Sequence, residues 1–207
     1  MSSQVSTSAG SEAAQAPRRG LNARQADTVE RLMVAGLDEL RAVGHEALTV
    51  RTVAQRAGVS PATAYTYLAS KNHLFAELFW RHLADTPTPA VRPGAPAVER
   101  VQAAVRALTE RITTEPELAA AVTPALLGTD PDVERLRLKI GAEFLARFEA
   151  ALTDPAEPAT PADPAVLDVL VMSFSGALLQ VGMGLITYAE MADRLESAVA
   201  VIIRGNA

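Results

Sequence analysis

Residues 49–71 run Thr-Val-Arg-Thr-Val-Ala-Gln-Arg-Ala-Gly-Val-Ser-Pro-Ala-Thr-Ala-Tyr-Thr-Tyr-Leu-Ala-Ser-Lys. They gather hydroxyls, small side chains and a lysine at a spacing suited to meeting a polyanion. Tyr65, Thr66 and Tyr67 can reach bases or phosphates. Ala62, Thr63 and Ala64 carry little bulk, which a helix needs if it is to approach base edges. Ser60 is a good N-cap and Pro61 falls at the first helical position, where its missing N–H costs nothing. Upstream, Thr49 caps a helix whose apolar face is Val50, Val53, Ala54 and Ala57. Gly58 ends it in a left-handed conformation and Val59 plugs the corner. Two short helices joined in this way are laid out to press the second into a DNA major groove. Ser70 caps a further helix with Lys71 in its first turn, where the helix dipole disfavours a cation unless something negative, such as a phosphate, lies nearby. Two ordinary core helices could share any one of these features; their combination favours DNA binding.

Other chemistry is poorly represented. His45, His73 and His82 have no metal-ligand spacing with each other or with carboxylates, so no metal is expected. Gly182-Met183-Gly184 is a fragment of a nucleotide fingerprint, lacking its third glycine and a preceding strand; a helix bend or close packing explains it better. No Gly-x-Ser-x-Gly elbow occurs. Neither an enzyme nor a bound cofactor is expected. The rival is a helical small-molecule-binding or interaction protein without specific DNA binding.

The chain has 207 residues, enough for one or two compact units with a real core. It is 49% hydrophobic but 4% aromatic, which favours helices. It has no cysteine, hence no disulfide, thiolate metal site or thiol nucleophile. The net charge of −5 is unevenly spread: residues 18–81 carry nine Arg/Lys against six Asp/Glu, the remainder ten against eighteen. A mildly basic head on an acidic body lets the head meet phosphate.

Residues 1–17 are small and polar and are expected to be disordered, without the pattern of a secretory signal. Arg18, Arg19 and Arg24 are either a solvated linker or a DNA contact. The first helix is expected from about Asn22, with Val29, Leu32, Met33, Gly36, Leu37, Leu40 and Val43 as its stripe and Gly44 as its end. A fourth helix, about 71–83, carries Leu74, Phe75, Leu78, Phe79 and Trp80 and joins head to body. Proline-rich stretches at 85–97 and 153–164 interrupt the body. Helices are expected at about 97–114, 116–127, 131–152, 164–186 and 188–204. The helix from Pro164 is apolar nearly all round and must be buried on two sides. It reaches the hydropathy of a membrane span, but Asp168, Ser173, Ser175 and Gln180 interrupt it and no basic flank follows, so no membrane partner is expected.

Residues 29–78 resemble the DNA-binding domain of the TetR/AcrR family of bacterial transcription regulators. The resemblance rests on Gly44, Thr49, the run Val53-Ala54-Gln55-Arg56-Ala57-Gly58-Val59-Ser60, the run Tyr65-Thr66-Tyr67-Leu68-Ala69-Ser70-Lys71, and Leu74. Leu68 departs from the family's usual Phe. The fold expected is all-α, with about nine helices: an arm at 1–20, a helix-turn-helix domain at 21–70, and a ligand-binding and dimerisation domain at 71–207. DNA contacts are expected from Thr49, Arg51, Ser60, Pro61, Ala62, Thr63, Tyr65, Thr66, Tyr67 and Lys71. The resemblance implies a cytoplasmic homodimer, paired through its last two helices, that binds a palindromic double-stranded DNA operator and represses until a small molecule relieves it. Leu178 and Val199 are the expected interface positions. Because the body is rich in Leu, Val, Phe and Met, the effector is expected to be small and hydrophobic. Leu108, Ile112, Leu126, Phe144, Phe148, Phe174 and Leu178 are either its walls or plain core, with Ser175 and Gln180 as polar partners.

Overall fold

The computed structural model describes residues 12–154, 156 and 162–205, with side chains from 23 onward. Among these residues it is built of helices alone: α1 (Glu12–Ala47), α2 (Val50–Arg56), α3 (Pro61–Tyr67), α4 (Lys71–Ala84), α5 (Ala97–Thr113), α6 (Pro116–Leu127), α7 (Pro131–Leu152), α8 (Pro164–Gly182) and α9 (Tyr188–Arg204). We call α1–α3 the head and α4–α9 the body. One apolar core runs through both, from Leu32 in α1 to Val199 in α9.

Local chemistry sets the helix starts. Thr49 Oγ1 accepts from Thr52 N at 3.1 Å, and Thr52 Oγ1 accepts from Thr49 N at 3.2 Å, a reciprocal cap for α2. Ser60 Oγ accepts from Thr63 N at 3.1 Å to start α3. Asp130 and Asp163 cap α7 and α8, each ahead of a proline at the first helical position. Thr187 and Glu190 cap α9 reciprocally.

The first helix differs from expectation at its start. It begins at Glu12 rather than near Asn22, so residues 12–20 of the expected arm belong to a helix. The run Ala13-Ala14-Gln15-Ala16 has high helix propensity, which the small-residue reading overlooked. The remaining arm residues, and the side chains of Arg18 and Arg19, lie outside the described set; Arg24 is exposed. Gly44 takes φ 75° and breaks the helical path as expected. Leu32, Met33 and Leu40 are buried, Val29 and Leu37 partly so. Val43, placed in the stripe by spacing, is instead exposed.

Close packing ties α1 to α4. A Cβ added at Gly36 would lie 2.9 Å from Leu74 Cδ1, so a larger residue there would have to displace the Leu74 side chain. In the body, Phe174 meets Phe144 at a centroid distance of 5.0 Å, tilted, and Phe148 at 5.6 Å, edge-on. Such pairs add about 0.5–1.5 kcal/mol each beyond area burial. Arg100, a buried cation the sequence did not announce, donates to Ala95 O, Ala151 O and Leu152 O at 2.6–2.9 Å. The last two carbonyls close α7, where a positive charge is favoured.

The helix α8 buries Val166, Leu167, Leu170, Phe174 and Ala177 against its neighbours and leaves Val169 and Met172 exposed. It is long and apolar enough to cross a membrane, and here it packs on α6, α7 and α9. Gly182 meets α6 so closely that an added Cβ would stand 2.5 Å from Thr123 Cγ2, and Gly184 turns the chain at φ 71°. Packing and a turn therefore account for the Gly-Met-Gly fragment.

Candidate nucleic-acid interface and internal cavity

The helix α3 is short, and its exposed side is made of small and hydroxyl-bearing residues. Ala64 is its one fully buried residue and Leu68 its buried C-cap. Pro61, Ala62, Tyr65 and Thr66 are exposed, Thr63 and Tyr67 half-buried. Tyr65 is 52% exposed, an unusual placement for an aromatic ring unless something else covers it. The hydroxyls of Ser60 and Thr63 lie 2.9 Å apart, and Thr66 Oγ1 donates back to Ala62 O at 3.1 Å. Tyr67 packs against the core, so its ring is a structural support as well as a surface group. Thr49 and Arg51 are exposed at the start of α2.

Two arginines hold the head's shape. Arg56 Nε donates to Glu39 Oε2 at 2.7 Å, anchoring the end of α2 to a largely buried carboxylate of α1. Arg31 Nη1 donates to Ala57 O at 3.1 Å, meeting the turn's carbonyl. With Gly58 at φ 67° and Val59 N donating to Ala54 O at 3.0 Å, the corner between α2 and α3 is fully specified.

Lys71 has neighbours within the chain at the end of α1. Its Nζ approaches His45 O and Glu46 O, each at 3.4 Å. Carbonyls at the end of α1 therefore supply the negative field that offsets the α4 dipole, and no phosphate is needed to explain a lysine there.

The body carries an open cavity of about 390 Å³. Phe79 of α4, Ile112 of α5, Leu126 of α6, Ile140 and Phe144 of α7, and Leu178 of α8 contribute apolar walls. Its polar rim includes Thr123, Arg137, Ser175 and Tyr188. Arg137 donates to Leu126 O and Gly128 O at 2.6 Å each, capping the end of α6. Burial raises the Tyr188 phenol above its ordinary range. Of the seven candidate walls, Ile112, Leu126, Phe144 and Leu178 line the cavity, whereas Leu108, Phe148 and Phe174 are in the packed core outside its lining. Ser175 is at the cavity; Gln180 is not among its lining residues. Arg137 and Tyr188 were missed. Spacing alone reads them as a surface charge and a first-turn residue; Arg137 is indeed exposed, and Tyr188 is half-buried. Among the described residues no group of three His, Asp or Glu side chains is placed to hold a metal ion.

The sequence profile described as bacterial regulatory proteins of the tetR family matches residues 32–78, the span from α1 to the middle of α4. An uncharacterized HTH-type transcriptional regulator of Mycobacterium tuberculosis is 42% identical over 186 residues, covering 89% of this chain and 84% of its own. The HTH-type transcriptional repressor KstR of Rhodococcus jostii is 26% identical over 182 residues, covering 86% and 84%. Among solved structures, a TetR transcriptional regulator from Rhodococcus sp. RHA1 superposes with a TM-score of 0.69 at 20% identity, over 85% of this chain and 94% of that one. FadR of Thermus thermophilus, a TetR family repressor solved with lauroyl-CoA, gives 0.62 at 20% identity, over 85% and 93%. These last two likenesses concern the fold. The family profile falls on the helices that build the exposed α3 surface, and the Mycobacterium relative extends the match through the body that holds the cavity. The chain accordingly belongs to the TetR family of DNA-binding bacterial transcriptional regulators.

Proposed function

We propose that this protein is a cytoplasmic repressor that binds a palindromic operator as a homodimer and is released by a small hydrophobic molecule. One observation carries the reading: α4 begins at Lys71, four residues beyond the end of α3, and its Phe79 is a wall of the apolar cavity. A ligand that shifts α4 therefore shifts α3. The volume suits a small-molecule site, and the walls to test are Ile112, Leu126, Phe144 and Leu178. The ligand must favour the form that does not fit DNA, since equal affinity for both forms would shift nothing. The DNA contacts proposed are those of the exposed α2–α3 surface, namely Thr49, Arg51, Ser60, Pro61, Ala62, Thr63, Tyr65 and Thr66, with Tyr67 and Lys71 at its edge.

A homodimer presents two α3 helices to two half-sites. One of the expected interface positions changes. Val199 is 1% exposed inside the single chain and so is not free to face a partner, whereas Leu178 is half-buried at the cavity and stays a candidate. Met172 and Val201, 64% and 65% exposed, together with Val169, are the apolar side chains those helices leave uncovered. No chemical reaction is assigned to the protein.

The test pairs a band shift on the protein's own upstream DNA with a thermal-shift screen of hydrophobic compounds. A releasing compound should raise the melting temperature and weaken DNA binding together. Absence of any salt-sensitive shift on that DNA would instead favour a helical small-molecule carrier.

A further inference from the structure

Two ion pairs join the head to the body, and they run in opposite senses. At one, Arg41 of α1 grips Glu115, the N-cap of α6, with its fork: Nε donates to Oε2 at 3.0 Å and Nη2 to Oε1. At the other, Arg81 of α4 donates from Nη1 to Glu30 Oε2 of α1 at 2.9 Å. The head thus supplies the base of one pair and the acid of the other. Each arginine is also steadied from its own helix, Arg41 by Asp38 at 3.6 Å and Arg81 by Glu77 at 3.0 Å. The Glu115 side chain makes no capping bond to α6. Its carboxylate goes to α1 instead, and hydrogen bonding from Arg41, the largest cause, holds it below the usual carboxylate range. All four paired residues line a cleft of about 700 Å³ between α1 and the body, with Met33, Leu37 and Leu118 among its apolar lining.

We propose that the two pairs brace the head against the body at a fixed angle, and so set the half-site spacing that a dimer accepts. Arg41, Glu115, Arg81 and Glu30 are in this sense positioning residues for DNA recognition, none of them on the exposed α2–α3 surface. The inference rests on the dimeric DNA-binding reading above and deepens it. Apolar contact across the cleft holds the head close without fixing its angle, because burial is non-directional. Forked guanidinium–carboxylate bonds are directional. Glu30 and Arg41 are eleven positions apart on α1, which sets the two attachment points about 16 Å from each other along the helix axis. Two points so separated resist rotation of α1, where one alone would act as a pivot. The opposed polarity adds to this, since any shift that carried Glu30 toward Glu115, or Arg41 toward Arg81, would meet like charge. Exposed pairs add little to stability, so the mark of the brace is on DNA geometry rather than on melting.

The full chain is first footprinted on its own upstream DNA to locate the operator. Fluorescence anisotropy then compares three duplexes: that operator, the operator with one base pair inserted between its half-sites, and a single half-site. The unmodified chain should prefer the native spacing by roughly tenfold. Glu115→Gln and Glu30→Gln, each of which removes one pair, should narrow that preference roughly threefold and leave half-site affinity and melting temperature nearly unchanged. Arg41→Lys keeps the charge without the fork and should fall between Glu115→Gln and the unmodified chain. Glu149→Gln, exposed on α7 and in neither pair, should leave the preference as it is. An unchanged preference in both Glu115→Gln and Glu30→Gln, an equal loss on half-site and operator, or the same narrowing in Glu149→Gln would overturn the proposal. Failure of the dimeric DNA-binding reading would overturn it at an earlier step and is told apart there, because the unmodified chain would leave no footprint.

Discussion

Ser70 Oγ donates to Asp130 Oδ2 at 2.7 Å, so the N-cap of α4 is bonded to the N-cap of α7. Each partner keeps its own capping bond: Ser70 Oγ accepts from His73 N at 3.0 Å, and Asp130 Oδ1 from Asp132 N at 2.9 Å. The N-cap of α4, three residues past the end of α3, is thereby fastened to α7. The Ser70 hydroxyl, and then the Asp132 N–H, hold the Asp130 carboxyl below the usual carboxylate range.

Removing either partner should cost about 1–2 kcal/mol of stability, and the Ser70→Ala/Asp130→Ala double variant should cost less than the two single costs added. The depressed carboxyl stabilises the fold above its ordinary pKa and loses that contribution as pH falls toward the folded value. Asp130→Asn should therefore flatten the acid limb of the stability profile. Urea titrations across pH check both points, and strictly additive costs would refute the coupling.

On DNA, Tyr65→Ala and Thr63→Ala should change which bases are preferred, since Tyr65 is exposed and the Thr63 hydroxyl meets that of Ser60 at the start of α3. Lys71→Ala should weaken all sequences alike and lower the salt slope by about one unit. Tyr67→Phe should have a smaller effect on binding than Tyr65→Ala, because the Tyr67 ring is half-buried. Fluorescence anisotropy at several salt concentrations, with operator and scrambled duplexes, distinguishes these outcomes.

For the proposed dimer, Met172→Arg should give monomer, because an unpaired buried charge costs about 3–5 kcal/mol. Met172 is exposed in the single chain, so the monomer should keep its helical content and melting behaviour. Val199→Arg should instead damage folding itself. Light scattering that still gave a dimer for Met172→Arg would move the interface off this face of α8.

Acid sensitivity should come partly from His82. Its Nε2 lies 2.6 Å from Arg111 O and 3.2 Å from Thr114 Oγ1, and burial, the largest cause, pushes its pKa below the usual imidazole value. On acidification the unfolded chain takes up the proton before folded His82 does, so stability falls as pH drops through the ordinary imidazole range. His82→Gln should give a shallower decline of melting temperature between about pH 7.5 and 5. An unchanged slope would place the sensitivity elsewhere.

Phe174→Ala should lower stability by about 3–5 kcal/mol, as a core truncation. Phe144→Trp should chiefly shrink the cavity and weaken release by the effector. Denaturation curves and ligand titrations of the two variants should thus respond in opposite proportions.

Helix boundaries were legible because caps, prolines and apolar spacing act over one to four residues. Thr49, Ser60-Pro61, Ser70, Asp130-Pro131, Asp163-Pro164 and Thr187 each mark a helix start in the sequence and in the structure. The α2–α3 surface was legible for the same reason, since its shape is set within about 20 residues. What the sequence could not decide is which side chains meet across large separations. Arg41 and Glu115, whose side chains pair between head and body, are 74 residues apart, and Ser70 and Asp130 are 60 apart. The sequence asks for something negative near Lys71, and only packing shows that carbonyls at the end of α1 stand beside it. Phe144 and Phe174 have the same composition signal, yet one lines a cavity and the other fills the core, because that outcome depends on the rotation of α7 and α8 against their neighbours. Val199 and Val201 differ by two positions on one helix and face opposite fates for the same reason. Periodicity identifies an apolar stripe; only the packed structure determines whether the chain itself covers it.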